Sequence, residues 1–245
     1  MLAIFRRELT SLFTSPLAWI TLALTQGMLA YVFLRLLQAF ARTQGQLQGL
    51  PGAPGLSRLV AMPLFETCAF ILMVIVPMFT MRLFAEERRA RTLALLLSAP
   101  VSSTAIVLGK YLSALAFCLI LINMTVAMPL ALTLGTALDY GQLFAGALGL
   151  TLIAALFSAI GLFMSTLTTQ PTMAGIGAFG TTLLLWILDW GADRAGLFAY
   201  LSVLQHFRAL LRGLIDTQDV AYFLILTFAC LYLAVRRINA LKSPL

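Results

Sequence analysis

Five long runs without a charged residue dominate the chain. They cover residues 16–34, 67–81, 111–138, 140–188 and 220–235. Because a helix needs about 20 apolar residues to cross the hydrocarbon core of a bilayer, the pattern is typical of membrane spans. The fourth run is too long for one helix, and Pro171 within it cannot continue a helix from the residues before it. The pattern therefore predicts six transmembrane helices.

These helices are expected to form one all-α transmembrane domain over residues 1–245. Composition agrees, because hydrophobic residues make up 61% of the chain and charged residues only 10%. A soluble domain of this length would need more charge to cover its surface. The spans are expected at about 16–36, 62–82, 110–134, 143–167, 171–190 and 219–236.

Charged residues divide unevenly between the two sides of the predicted bundle. Six spans put both termini on one side, where the segments contain ten Lys or Arg and three Asp or Glu. The segments on the other side contain six basic and six acidic residues. The whole net charge of +7 therefore lies on the side of the termini. Since basic residues are retained in cytoplasmic loops, we expect both termini and residues 82–110 to be cytoplasmic.

An amphipathic segment precedes the first span. Its apolar side chains share one helical face: Leu2, Phe5, Leu9, Leu12 and Phe13. A helix with such a stripe is expected to lie in the headgroup plane, with a turn at Ser15-Pro16 leading into the span. The alternative is that residues 2–13 simply extend the first span into the cytoplasm.

A second amphipathic segment lies between the fifth and sixth spans, on the outer side. Its apolar face is formed by Tyr200, Val203, Leu204, Phe207, Leu211 and Leu214. Such a helix could lie on the outer interface or re-enter between the spans. Gly213 near its end is suited to terminate it.

One acidic residue lies close to the membrane interior. The second run has only fifteen residues, and extending it back to Met62 places Glu66 about one turn inside the outer boundary. Ionisable groups at membrane depth are costly, so Glu66 is a candidate outer-side functional acid. The alternative is that Glu66 snorkels or faces a water-filled outer cavity.

The densest cluster of charge lies between the second and third spans. Residues 82–91 contain six charged side chains, and an amphipathic stretch closed by Pro100 follows before the next apolar run. Two spans that return to the aqueous surface through such a segment form a docking surface. The alternative is a solvated cluster of positive charge that does no more than orient the protein.

The patterns of known catalytic sites are absent from the sequence. The chain has one histidine, His206, and three cysteines without metal-ligand spacing. It contains neither a Gly-x-Ser-x-Gly elbow nor a Gly-x-x-x-x-Gly-Lys phosphate loop. We therefore expect no catalytic, cofactor-binding or metal-binding residues and no ATP hydrolysis by this chain.

Three pieces of the sequence, in order, carry a resemblance to a known family. They are Arg7-Glu8-Leu9 with Ser15-Pro16-Leu17-Ala18-Trp19, then Met81-Arg82-Leu83-Phe84-Ala85-Glu86-Glu87 with Leu96-Leu97-Ser98-Ala99-Pro100-Val101-Ser102, and finally His206-Phe207 with Arg212-Gly213-Leu214-Ile215-Asp216. The set resembles type-2 permeases of ATP-binding-cassette (ABC) exporters, in the branch of gliding-motility and nitrous-oxide-reductase-maturation permeases. Ala94 departs from the family, which often has an acidic residue there.

The resemblance implies a permease subunit of the bacterial inner membrane that binds a cytoplasmic ABC ATPase dimer. A second permease copy, in a homo- or heterodimer, and the lipid bilayer are further expected partners, an auxiliary membrane or periplasmic subunit is compatible, and nucleic acid is not expected. ATP and Mg²⁺ would be bound by the ATPase. The coupling segment would span about residues 88–104. Its expected ATPase-coupling residues are Glu86, Glu87 and Arg91 for polar contacts, Leu93, Leu96 and Leu97 as anchors, and Pro100 at its end.

Two other classes of function remain open at this point. A secondary transporter would be expected to show internal repeats and charged or broken helices at mid-membrane, and the sequence shows neither. A membrane scaffold without transport activity is compatible with the same composition. The substrate is not encoded in any recognisable pattern.

Overall fold

The computed structural model of the protein describes residues 1–47, 55–92, 101–134, 139–191 and 201–242. Over these residues the chain is helical and contains no strand, so the predicted all-α class is confirmed. The helices are α1 (Leu2–Thr14), α2 (Pro16–Leu47), α3 (Met62–Thr80), α4 (Arg82–Arg89), α5 (Ser103–Leu130), α6 (Tyr140–Leu167), α7 (Pro171–Ile187), α8 (Val203–Leu211) and α9 (Thr217–Lys242). A π-helical turn, Ser57–Ala61, leads into α3.

Five segments are long and apolar enough to cross a membrane. They contain α2, α3, α5, α6 and α9, and the segment of α3 runs from Ser57 to Arg89. Helix α7 is apolar but shorter, with 17 residues, and a 3-10 turn at Leu188–Gly191 follows it. This architecture makes the protein a polytopic membrane protein.

Helix α6 is the centre of the bundle. It packs against α3, α4, α5, α7, α8 and α9. Of the most apolar 18-residue stretch of each helix, 67% is buried within the chain in α6, against 22% in α2 and 28% in α9. The difference has a local cause: small residues along α6 allow its neighbours to approach closely. A Cβ atom on Gly146 would lie 2.6 Å from the Phe65 ring, and one on Gly161 would overlap the Thr80 hydroxyl.

Helix α1 is separate from the first spanning helix. It ends at Ser15, whose backbone is extended (φ −77°, ψ 128°), and Pro16 begins α2. Proline at the first helical position costs no hydrogen bond, because that N–H has no helical partner. The Trp19 indole N–H donates to the Phe13 carbonyl at 2.9 Å and fixes the turn between the two helices.

The amphipathic segment between the fifth and sixth predicted spans contains α8. Val203, Leu204 and Phe207 are buried in the core, in agreement with the apolar face expected from the sequence. The helix ends at Gly213, which has a φ of +84°. Its N–H donates to Leu210 and that of Leu214 donates to Ala209, which is the pattern of a Schellman cap. Gly213 therefore terminates the helix as predicted.

Candidate functional site

The charged residues of the bundle come together in two groups, one at each end. The terminal end contains α1, α4 and the start of α5, and the opposite end contains α8 and the start of α6. The five ion pairs formed between described residues each join residues that the sequence analysis placed on the same side. The packing of the helices alone therefore gathers the charged residues at the two ends of the bundle.

A buried lysine organises the terminal end. Lys110 on α5 is only 1% exposed, and its Nζ lies 2.9 Å from Oε1 of Glu8 and 2.9 Å from Oε1 of Glu87. The same Nζ lies 5.2 Å from the centre of the Phe84 ring. Two carboxylates that are about one-fifth exposed thus compensate a desolvated ammonium group. We refer to Glu8, Glu87 and Lys110 as the charged triad.

The charged triad joins three helices that are far apart in the sequence. Glu8 belongs to α1, Glu87 to α4 and Lys110 to α5. Helices α1 and α5 also pack closely, since a Cβ atom on Gly109 would lie 3.0 Å from a methyl group of Ile4. The position of α4 relative to these two helices is therefore set by hydrogen-bonded charges that are mostly shielded from water.

Helix α4 is also tied to the central helix by two reciprocal caps. The Ser165 hydroxyl on α6 accepts hydrogen bonds from the N–H groups of Phe84 and Ala85 at 2.9 and 3.0 Å, and it donates to the Met81 carbonyl. In return, Nη1 of Arg88 donates to the Thr166 carbonyl at 2.8 Å, near the end of α6. The first N–H groups of a helix and its last carbonyls have no partners within the helix, so these bonds satisfy both ends.

The end of α4 has an unusual backbone. Arg91 adopts a left-handed conformation with a φ of +56°. Its N–H donates to Arg88 and that of Thr92 donates to Glu87, so α4 ends in the same Schellman cap as α8. A residue with a Cβ atom costs about 1 kcal/mol more than glycine in this conformation. The strained residue lies within the predicted coupling segment, close to its start.

The structure places the predicted coupling residues unequally. Glu86 and Arg91 are exposed on the surface of α4, whereas Glu87 is engaged by Lys110. Leu93, Leu96, Leu97 and Pro100 lie outside the described residues. The roles of all seven in binding an ATPase stay predictions.

Sequence reasoning did not find the internal partners of this surface. Neither Lys110 nor Glu8 was assigned a structural role, and Ser165 was not singled out. A lysine at the border of an apolar run, seven residues into α5, is the one signal that could have pointed to a buried charge. Its carboxylate partners are 23 and 102 positions away, so no local pattern could have indicated them.

At the opposite end, Glu66 takes part in an ion pair that is open to water. Its Oε1 lies 3.4 Å from Nε of Arg208, whose Nη1 lies 3.0 Å from Oδ2 of Asp189. The Arg208 side chain is 43% exposed and that of Glu66 is 36% exposed. A charge with this much access to water carries little desolvation penalty, and its functional role stays a prediction.

A second polar contact at this end joins α8 to α9. Nδ1 of His206 lies 2.6 Å from Oδ1 of Asp219, and the imidazole stacks on the Tyr222 ring with a centroid distance of 4.2 Å. The Tyr222 hydroxyl donates to the Leu201 carbonyl at 2.6 Å. Over the described residues, three or more His, Cys, Asp or Glu side chains do not come together in a geometry that could hold a metal ion.

Comparison with known proteins identifies the family of the chain. Residues 2–237 match the family described as "ABC-2 family transporter protein". None of the curated proteins matches the chain. The match extends from α1 into α9, so it includes the charged triad, α4 and both ends of the bundle. The chain therefore belongs to the ABC-2 family of transporter proteins and is a multi-pass membrane subunit of that transport family.

Proposed function

We propose that the chain is the permease subunit of an ABC exporter, moving its substrate by alternating access driven by a separate ATPase. Membership of the ABC-2 family supports the role of permease. Export of the substrate and pairing with an ATPase dimer are what the proposal adds. A second copy of the permease, as a homo- or heterodimer, would complete the pathway. The termini and α4 would lie on the cytoplasmic side of a bacterial inner membrane. An auxiliary membrane or periplasmic subunit is compatible with this arrangement. ATP and Mg²⁺ would be bound by the ATPase.

The observation that carries this proposal is the anchoring of α4 to three other helices. The charged triad connects it to α1 and α5, and Ser165 with Arg88 connects it to α6. Closure of an ATPase dimer must push on a rigid element if it is to move membrane spans. An element held on three sides by hydrogen-bonded groups transmits such a push without deforming.

The outward face of α4 supports the same assignment. Glu86 is exposed and forms no ion pair with another described residue, and Arg91 is exposed in a strained conformation. Groups without an internal partner can change contacts at low cost. Glu87, by contrast, serves both the internal network and, in this proposal, the edge of the ATPase surface.

The first test is reversal of the charge at Glu86. The substitution Glu86→Lys should leave expression and membrane insertion unchanged, because an exposed charge contributes about 0–1 kcal/mol to stability. Association with the co-expressed ATPase, measured by co-purification, should fall, together with stimulated ATP turnover. The matched control is Arg236→Glu, an exposed charge reversal on α9 at the same end. Normal association of the Glu86 variant would show that docking occurs elsewhere.

The second test concerns Leu96 and Leu97 as apolar anchors. Burial of a leucine side chain contributes about 1.5–3 kcal/mol, so changing both to serine should weaken the complex by about 3–6 kcal/mol if both are buried in the ATPase. The free permease should lose much less stability. Thermal stability in detergent is compared with and without the ATPase. Equal loss in both would place these leucines in the permease's own core.

A further inference from the structure

An arginine-lined cleft lies at the terminal end, between α4 and the start of α7. It has a volume of about 770 Å³ and opens to solvent. Its basic wall consists of Arg82, Arg88, Arg89 and Arg91, and the lining includes one acid, Glu86. Arg82 and Glu86 also line the neighbouring pocket that contains the charged triad, and Glu86 and Arg91 are the residues that the proposed function assigns to the ATPase surface.

Three of these arginines have no internal partner. Arg88 donates to the Thr166 carbonyl, but the guanidinium groups of Arg82, Arg89 and Arg91 form no hydrogen bond or ion pair with any described residue. Each is exposed, and all three face the same cleft. Like charges gathered in one concave surface repel each other unless an anion lies between them.

The other wall of the cleft adds donors suited to the same ligand. It is formed by Thr169, Gln170 and Thr172, which carry hydroxyl and amide groups. Gln170 is the N-cap of α7 and provides no side-chain cap, so the first N–H groups of α7 remain free of a side-chain partner. Guanidinium forks together with hydroxyl and amide donors match the oxygen geometry of a phosphate group.

Apolar side chains line part of the cleft and follow it along α7. Met81 and Pro171 line the cleft, and Met173 and Ile176 on the first turns of α7 are 58% and 68% exposed. Helix α7 lies close to Met81, and glycine at position 175 permits this approach, since a Cβ atom there would lie 2.8 Å from the Met81 Sδ. A ligand bound in the cleft therefore meets charge at one end and an exposed apolar helix face at the other.

We propose that this cleft binds the phosphate group of an anionic phospholipid, whose acyl chains lie along the exposed face of α7. A phospholipid satisfies both features at once, since basic pockets between transmembrane helices bind anionic headgroups while apolar faces bind their chains. An acidic protein surface would use the charge but would leave the adjoining apolar face of α7 without a partner. A free phosphate ion would use only the donors.

The test measures lipid binding to the full-length protein in detergent by native mass spectrometry. The probes are phosphatidylglycerol, phosphatidylcholine and inorganic phosphate. The protein should retain phosphatidylglycerol in preference to phosphatidylcholine, and Arg82→Gln/Arg89→Gln should weaken this binding about tenfold or more. Arg82→Lys/Arg89→Lys should show an intermediate loss, because lysine keeps the charge without the fork. Arg88 and Arg91 are left unchanged in these variants, because Arg88 caps the end of α6 and Arg91 terminates α4.

The matched control removes the same charge elsewhere at this end. Arg6→Gln/Arg236→Gln lies outside the cleft lining and should leave the preference for phosphatidylglycerol unchanged. Equal binding by the cleft and control variants would overturn the proposal. It would also be overturned if inorganic phosphate displaced the lipid, or if the cleft variant kept the lipid but lost a co-purifying protein. A loss confined to the cleft variant supports it.

Discussion

The two ends of the bundle use the same device with different chemistry. Each has a short helix that packs against α6 and ends in a Schellman cap. At the terminal end, α4 is held by the buried Lys110 and by Ser165, and it ends at a strained arginine. At the opposite end, α8 buries Val203, Leu204 and Phe207, carries ion pairs at His206 and Arg208, and ends at Gly213.

This difference indicates how each end responds to a partner. Apolar packing is insensitive to direction and to nearby charge, so the charge of a bound partner would act little on the apolar contacts of α8. Polar contacts between charges depend steeply on geometry, so the charged triad and Ser165 fix the orientation of α4 and allow it to move as a rigid body when a partner pushes on it. The proposed coupling role therefore belongs at the terminal end.

The largest effect should come from truncating the apolar anchor of α8. Phe207 is fully buried, and replacing it with alanine should cost about 3–5 kcal/mol in free energy of unfolding, because a cavity remains beside Gly149. Phe228→Ala is the control, since Phe228 is 65% exposed. Thermal unfolding in detergent measures both. A loss no greater than that of the control would mean that α8 is held by its polar contacts instead.

The next largest effect should come from removing the buried cation of the charged triad. Lys110→Met leaves two shielded carboxylates without a partner and should cost about 3 kcal/mol, whereas Arg208→Met at the opposite end should cost about 0–1 kcal/mol. Adding Glu8→Gln and Glu87→Gln to the Lys110 variant should restore much of the loss. Similar thermal destabilisation by the two single variants would erase the contrast between the ends.

A smaller effect is expected at the cap that α6 provides for α4. Ser165→Ala leaves the N–H groups of Phe84 and Ala85 unsatisfied in a buried place and should cost about 1–3 kcal/mol. Hydrogen exchange should accelerate in α4 before it does in α8. Ser158→Ala is the control, because the Ser158 hydroxyl contacts only a weak partner, Cys118 Sγ at 4.0 Å. Unchanged exchange in α4 would contradict the cap.

The smallest effect compares the two helix ends directly. Arg91→Gly should stabilise the free permease by about 1 kcal/mol, and Gly213→Ala should destabilise it by a similar amount, because both residues have a positive φ. The two changes in stability have opposite signs because glycine tolerates a positive φ and a residue with a Cβ atom does not. If Arg91→Gly also reduces association with the ATPase, the strain is maintained for function. A destabilising Arg91→Gly change would show that the arginine side chain has a structural partner.

The sequence was informative wherever a property depends on neighbouring residues. The end of α8 at Gly213 follows from the conformational freedom of glycine, and the start of α2 at Pro16 follows from the missing N–H of proline. The apolar face of α8 follows from a period of 3.6 residues.

The candidate site was only partly accessible to the same reasoning. Glu86 and Arg91 could be singled out because they stand in a dense cluster of charge, and the structure exposes both. Glu87 stands in the same cluster but turns toward Lys110, and no sequence signal separates it from Glu86. Which of two adjacent carboxylates faces inward depends on where α5 lies, and that is decided by packing.

The sequence by itself thus determined the helical membrane class, the segregation of charge to the side of the termini, and the ends of several helices. These properties arise from hydropathy, charge and backbone preference, which act along the chain. Only the tertiary structure decided that α6 is central, that Glu8 meets Lys110 across 102 positions, and that Ser165 caps α4. Such contacts depend on how closely helices approach, and close approach is a property of their combined surfaces.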